Sequence, residues 1–190
     1  MYFTTRIATL AFAAEAMLGV VAIAICRWFD VPLAGRLTPS LEIALRSVAA
    51  TLPMLGLLFW SIHSSWRPLV DLRRHVARMV GELFGKASLL DLALISVAAG
   101  VGEELLFRGA LQPLAVRWLG PAAGVVAISL LFGAAHAASA AYFVLATGVG
   151  LYLGWLSQRY GELVTPMVVH AAYDFVALIV LRKRVASERG

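Results

Sequence analysis

Charge is scarce in this 190-residue chain, and that scarcity excludes most soluble architectures. Asp, Glu, Lys and Arg together make up 14% of the residues and hydrophobic types 61%, whereas soluble domains carry about a quarter charged and about half apolar residues. Cysteine is nearly absent as well. Cys26, the single one, excludes an internal disulfide and any zinc site built from cysteines, and reads as a small apolar residue near a helix end. No internal repeat or low-complexity linker divides the chain, and no long polar stretch sets off a soluble domain. What is present is apolar sequence, at a mean hydropathy of +0.85. The reading is an all-α polytopic membrane helix bundle. At about 20 apolar residues per span, the length allows about six transmembrane helices. Residues 1–88 and 89–190 are its two parts, within one integral membrane domain, and membrane lipid is its first expected partner.

The formal net charge is +5, which raises nucleic acid as a partner. The placement of the basic residues speaks against it, since they gather in one loop and the C-terminal tail, as topology control by positive flanks requires. The expected spans cover residues 7–25, 41–62, 89–118, 122–138, 141–157 and 163–181. The first exceeds the roughly 7–15 apolar residues of a signal peptide and is expected to be retained. Pro53 interrupts the second and should kink it, while Trp60 and Trp66 bracket its end as interfacial anchors. Between residues 67 and 86, Arg67, Arg73, Arg74, Arg78 and Lys86 alternate with apolar residues at helical spacing, the pattern of one amphipathic helix at the membrane surface. His63 and His75, at or beside it, read as interfacial histidines with solvated tips. Gly120 and Pro121 form a clear stop after the third span. With six spans, Arg6, that loop and the tail Arg182, Lys183, Arg184 and Arg189 share one side. Arg27, Arg36, Arg46, Arg117 and Arg159 take the other, so both termini are expected to be cytoplasmic.

Inside this apolar chain, residues 100–109 read Gly-Val-Gly-Glu-Glu-Leu-Leu-Phe-Arg-Gly. Ionisable groups at membrane depth are costly and by default mark a functional site with partners. On a helix Glu104 and Arg108, four residues apart, share a face, and Glu103 is turned about 100° away from Glu104. The expectation is that Glu104 pairs with Arg108 while Glu103 points at a reaction centre. The fourth span adds Phe132 and His136, and the sixth adds His170 and Asp174, each pair again four apart. Glu15 in the first span has no motif around it and reads as an interior-facing carboxylate without a catalytic role.

Gly-Glu-Glu-Leu-Leu-Phe-Arg-Gly, then Phe-Gly-Ala-Ala-His, then His-Ala-Ala-Tyr-Asp, in that order on three helices, resemble the CPBP family. That family includes type II CAAX prenyl endopeptidases and bacterial bacteriocin-processing or immunity-type relatives. The resemblance covers about residues 89–181. It implies an intramembrane endopeptidase that uses glutamate rather than a metal and acts on a membrane-anchored peptide or protein tail. By the same resemblance, Glu103 is the general base that activates water, His136 assists it, and His170 with the residue at 174 stabilises the oxyanion. Glu104, Arg108 and Phe132 hold the site. The third family motif usually ends in Asn, and here Asp174 stands in its place. An ionised carboxylate cannot donate to an oxyanion, so Asp174 is expected to accept from His170 and to keep that ring charged and oriented. No cofactor is expected. A zinc metalloprotease is the alternative enzyme, although His-Glu-x-x-His is absent; a non-catalytic immunity or scaffold protein is the alternative outside enzymes. The short chain and lack of long loops lean toward a bacterial inner (plasma) membrane.

Overall fold

The computed structural model describes residues 2–188, with side chains for residues 6–184; Arg189, counted above with the basic tail, lies outside the described residues. The chain is helical throughout, in the order α1 (Tyr2–Trp28), a short 3-10 turn (Ala34–Arg36), α2 (Leu41–His63), α3 (Arg67–Phe84), α4 (Leu89–Glu104), a π-helical segment (Leu105–Leu111), α5 (Gln112–Leu119), α6 (Pro121–Ala135), α7 (Ala140–Tyr160) and α8 (Val164–Glu188). Serines start several of these helices: the hydroxyls of Ser40, Ser88 and Ser139 accept from the backbone N–H groups of Ile43, Asp91 and Tyr142. Each satisfies an amide that the first turn leaves without an intrahelical acceptor.

Among the described residues four helices are long and apolar enough to cross a membrane: Arg6–Trp28 within α1, α2, α7, and Val164–Arg184 within α8. At 1.5 Å per residue, 21 to 23 residues span about 32–35 Å, enough for a hydrocarbon core of about 30 Å. The other two expected spans have a different build. The run from 89 to 119 is one continuous helical stretch that changes winding at the π-helical segment, and α6 has 15 residues. Large apolar residues face outward along these helices, among them Leu10, Met17, Leu45, Val48, Phe59, Leu90, Leu94, Val97 and Val144. A soluble protein does not tolerate so much exposed apolar surface; in a bilayer these residues face lipid, and the protein is an integral membrane helix bundle. Trp60 and Trp66 are exposed as expected of anchors, and His63 and His75 are also exposed.

The carrier helix α4 lies between α1 and α8, α6 and α7 pack as an antiparallel pair, and α8 also touches α2, α3 and α7. Small residues let backbones approach here, as in other membrane bundles. A Cβ on Gly102 would overlap the Glu15 carbonyl of α1, and one on Gly100 would lie 2.7 Å from the Met167 carbonyl of α8. Gly109, by contrast, meets mainly the side chains of Leu33 and Leu163. Helix α3 buries Leu69, Leu72, Ala77 and Val80. Its apolar face is turned onto α8 and into the bundle, where it closes one side of a cavity. Helix α6 ends at Ala135 rather than Ala138, and His136 is its C-terminal cap residue.

The glycine contacts give a graded expectation. Gly102→Ala must part α1 from α4 at backbone level and should cost about 1–3 kcal/mol, the usual penalty of overpacking. Gly109→Ala should cost less, because side chains can yield. Thermal unfolding of both variants in detergent or nanodiscs checks this order, and equal melting temperatures would refute it.

Candidate active site

The π-helical segment follows Glu103 and Glu104 directly, and its cause is two residues beyond its end. In such a segment each N–H reaches five residues back, as the Gln112 N–H does to the Phe107 carbonyl. Pro113 has no N–H to offer, so it donates neither to the carbonyl of Arg108, five residues back, nor to that of Gly109, four back. Arg36 replaces it. Its Nη2 donates to the Arg108 carbonyl at 3.2 Å and its Nη1 to the Gly109 carbonyl at 3.4 Å, with a further bond to Ser157 Oγ at 3.0 Å. Winding of this kind is found mostly as short bulges at functional sites.

Glu104 and Arg108 are 0% and 1% exposed. Arg108 Nη1 donates to Glu104 Oε1 at 2.8 Å and Nη2 to the Gly150 carbonyl at 3.1 Å. Its guanidinium carbon lies 4.5 Å from the centre of the Phe132 ring, within cation–π range. The same Glu104 Oε1 receives His170 Nδ1 at 2.9 Å. Because a carboxylate only accepts, Nδ1 carries the proton there. The other ring nitrogen, Nε2, faces Asp174 Oδ2 at 3.5 Å. The imidazole is thus held between two carboxylates, and the shorter bond belongs to Glu104, a partner that spacing along one helix does not reveal.

Glu103 points elsewhere. It is 8% exposed, its Oε2 has no hydrogen-bond partner among the described residues, and that oxygen lies 3.7 Å from His136 Nε2. His136 Nδ1 contacts the Phe132 carbonyl at 2.8 Å; a carbonyl only accepts, so Nδ1 carries a proton there, and Nε2 is the nitrogen turned toward Glu103. The Phe132 ring stacks at a tilt on His136 and stands edge-on to His170 and Phe107. Glu103, His136, His170 and Asp174 open onto one cavity of ≈ 300 Å³, whose remaining wall is mostly apolar and includes Leu69, Leu72, Val76, Met79 and Val80 of α3 and Leu178 and Leu181 of α8.

Residues 85–176, which carry Glu103, Glu104, Arg108, Phe132, His136, His170 and Asp174, match the sequence model of the type II CAAX prenyl endopeptidase Rce1-like family. Over that segment the chain is similar to this family. The uncharacterized protein YpbD of Bacillus subtilis (strain 168) is 29% identical over 98 residues, 50% of this chain and 48% of YpbD. The chain therefore spans about half the length of that curated relative. No solved structure matches it.

Every site residue expected from the sequence lies in one neighbourhood, and four more join them. Glu15 of α1 lines the cavity with its Oε2 unpartnered among the described residues; a lone charge in a span was the signal, and nothing local showed where it pointed. Tyr142 and Tyr173 line the same cavity, and Gln112 ties α5 to α7 through the Gly154 carbonyl at 3.0 Å. Among the described residues no three His, Cys, Asp or Glu side chains are arranged to hold a metal ion.

Two arginines should rank by what they leave behind. Arg108→Met strands the buried Glu104 charge and should cost about 3–5 kcal/mol. Arg36→Met leaves the Arg108 carbonyl without its side-chain donor and the Gly109 carbonyl with only the Cys26 thiol at 3.7 Å, and should cost about 1–3 kcal/mol. Unfolding of both variants in mixed micelles measures the order; an Arg36→Met protein as stable as the parent would show that the two carbonyls find other donors.

Proposed function

We propose that this protein is an intramembrane endopeptidase that cleaves a membrane-anchored peptide or protein tail with a water activated by Glu103 and His136. The observation that carries the reading is the facing of Glu103 Oε2 and His136 Nε2 across 3.7 Å on the wall of a largely apolar cavity. A water can sit within hydrogen-bond distance of both atoms, at the apex of a triangle on that base. As its oxygen attacks the scissile carbonyl carbon, one proton passes to Glu103, and the carbonyl electron pair moves onto oxygen. When the C–N bond breaks, the same proton returns through Glu103 or His136 to the leaving amine. General acid–base catalysis of this kind needs only positioned groups with suitable proton affinity, and no metal takes part.

His170 presents its Nε2 edge to the cavity, oriented by Glu104 and Asp174, and supplies positive character near the developing oxyanion. The apolar wall from α3 and α8 suits a substrate that arrives from the bilayer rather than from water. The family match over residues 85–176 supports protease chemistry. The basic loop and tail support cytoplasmic termini.

The test uses the purified full chain in nanodiscs with lipid-anchored, internally quenched peptides. Cleavage should survive a chelator and fall by about 10²–10⁴-fold in Glu103→Gln and in His136→Ala, the range for loss of a general base. Chelator-sensitive cleavage would point to zinc chemistry. Absence of any cleavage, with the cellular role intact in Glu103→Gln, would point to a non-catalytic protein.

A further inference from the structure

The proposed hydrolysis needs a donor for the oxygen on which negative charge develops, and the cavity is poor in donors. Glu15, Glu103 and Asp174 are acceptors when ionised. His136 has one nitrogen on the Phe132 carbonyl and the other turned to Glu103. Both nitrogens of His170 face carboxylates, Glu104 at 2.9 Å and Asp174 at 3.5 Å. The Ser61 hydroxyl donates to the Leu58 carbonyl, and Arg73 is engaged by the carbonyls of Ser61 and Ser64. Two hydroxyls on the cavity wall are left, those of Tyr142 and Tyr173; neither makes a hydrogen bond among the described residues.

Their positions separate them. The backbone N–H of Tyr142 is fixed by the Ser139 hydroxyl at 3.1 Å, which sets the ring at the start of α7, edge-on to His136 with centroids 6.1 Å apart. Tyr142 thus stands beside His136, the residue that faces Glu103, whereas Tyr173 lies on α8 next to Asp174 and makes no ring contact with either histidine among the described residues. A donor to the oxyanion has to reach the atom next to the carbon that the Glu103-activated water attacks.

We propose that Tyr142 is a catalytic residue whose hydroxyl donates a hydrogen bond to the oxyanion of the tetrahedral intermediate, a position that Asp174 cannot fill. The hydroxyl keeps its proton throughout. The new C–O bond comes from water, the carbonyl π pair becomes the oxyanion that Tyr142 holds, and that pair re-forms the carbonyl as the C–N bond breaks. The assignment rests on the protease reading above.

The experiment uses the same nanodisc assay with lipid-anchored quenched peptides. Tyr142→Phe should lower kcat by about 10²-fold, the loss seen when one oxyanion donor is removed, with KM changed less than about twofold, as for an interaction made only in the transition state. Tyr173→Phe should lower kcat far less than Tyr142→Phe does. Asp174→Asn adds an amide donor, so in that background Tyr142→Phe should cost only about tenfold or less, because two donors to one oxygen act together. A peptide aldehyde, whose hydrate mimics the tetrahedral oxyanion, should bind more weakly to Tyr142→Phe while the uncleaved peptide amide binds as before. Cleavage by the unaltered protein with unchanged kcat in Tyr142→Phe would overturn this assignment alone, as would a kcat loss confined to Tyr173→Phe or an equal loss in both Asp174 backgrounds. No cleavage by the unaltered protein would overturn the protease reading and this one with it.

Discussion

The buried ion pair between Glu104 and Arg108 is the constraint on which the rest of this bundle depends. Two charges removed from water cost several kcal/mol each, and their attraction offsets this only when the remaining donors and acceptors are also met. The structure meets most of them from four directions: the carboxylate oxygen Oε1 takes Arg108 and His170 together, and the guanidinium reaches the Gly150 carbonyl and lies over Phe132. Helices α4, α6, α7 and α8 are thereby tied to one point. Such a pair contributes little net stability, but it leaves few other ways for these helices to pack.

The pair also determines what its neighbour can do. Because Glu104 is committed inward, Glu103, about 100° around the helix, is directed to the cavity. The helix cannot rotate to exchange them, since Gly102 sits against the Glu15 carbonyl and Gly100 against Met167 and Ala171. Beyond the pair the winding loosens into the π-helical segment, and the carbonyls to which Pro113 cannot donate are taken by Arg36. The connector between α1 and α2 thus supports the site from outside the bundle core. Its own backbone is tied down in turn, by the Leu163 N–H donating to the Arg36 carbonyl at 2.8 Å.

The parts legible in the sequence are those with a short-range signature. Charges inside apolar runs marked Glu103, Glu104, Arg108, His136 and His170, and four-residue spacing paired Glu104 with Arg108 correctly. The Gly120–Pro121 stop and the amphipathic period of α3 were readable for the same reason. What escaped depends on contacts between distant segments. Arg36 reads as one more loop cation, and only folding brings it to Arg108 and Gly109. Asp174 reads as the main partner of His170 because it is four residues away, yet Glu104, 66 residues distant in sequence, holds the shorter bond. The end of α6 was misplaced because no Gly or Pro marks it; the break comes at His136, whose own side chain takes the Phe132 carbonyl.

The cavity carries an excess of acceptors over donors, and this has consequences for any peptide within it. Glu15, Glu103 and Asp174 can receive the N–H groups of an extended chain, which presents N–H and C=O in alternation. Its carbonyls, by contrast, meet acceptors or apolar wall almost everywhere, and an unsatisfied carbonyl in such surroundings is costly. On that reading a peptide is best placed where one carbonyl can approach the Tyr142 hydroxyl, beside Glu103. On the proposed reading, selection of the scissile bond is partly a matter of this shortage: the wall penalises a carbonyl at other places, and the position that remains is the one next to the base.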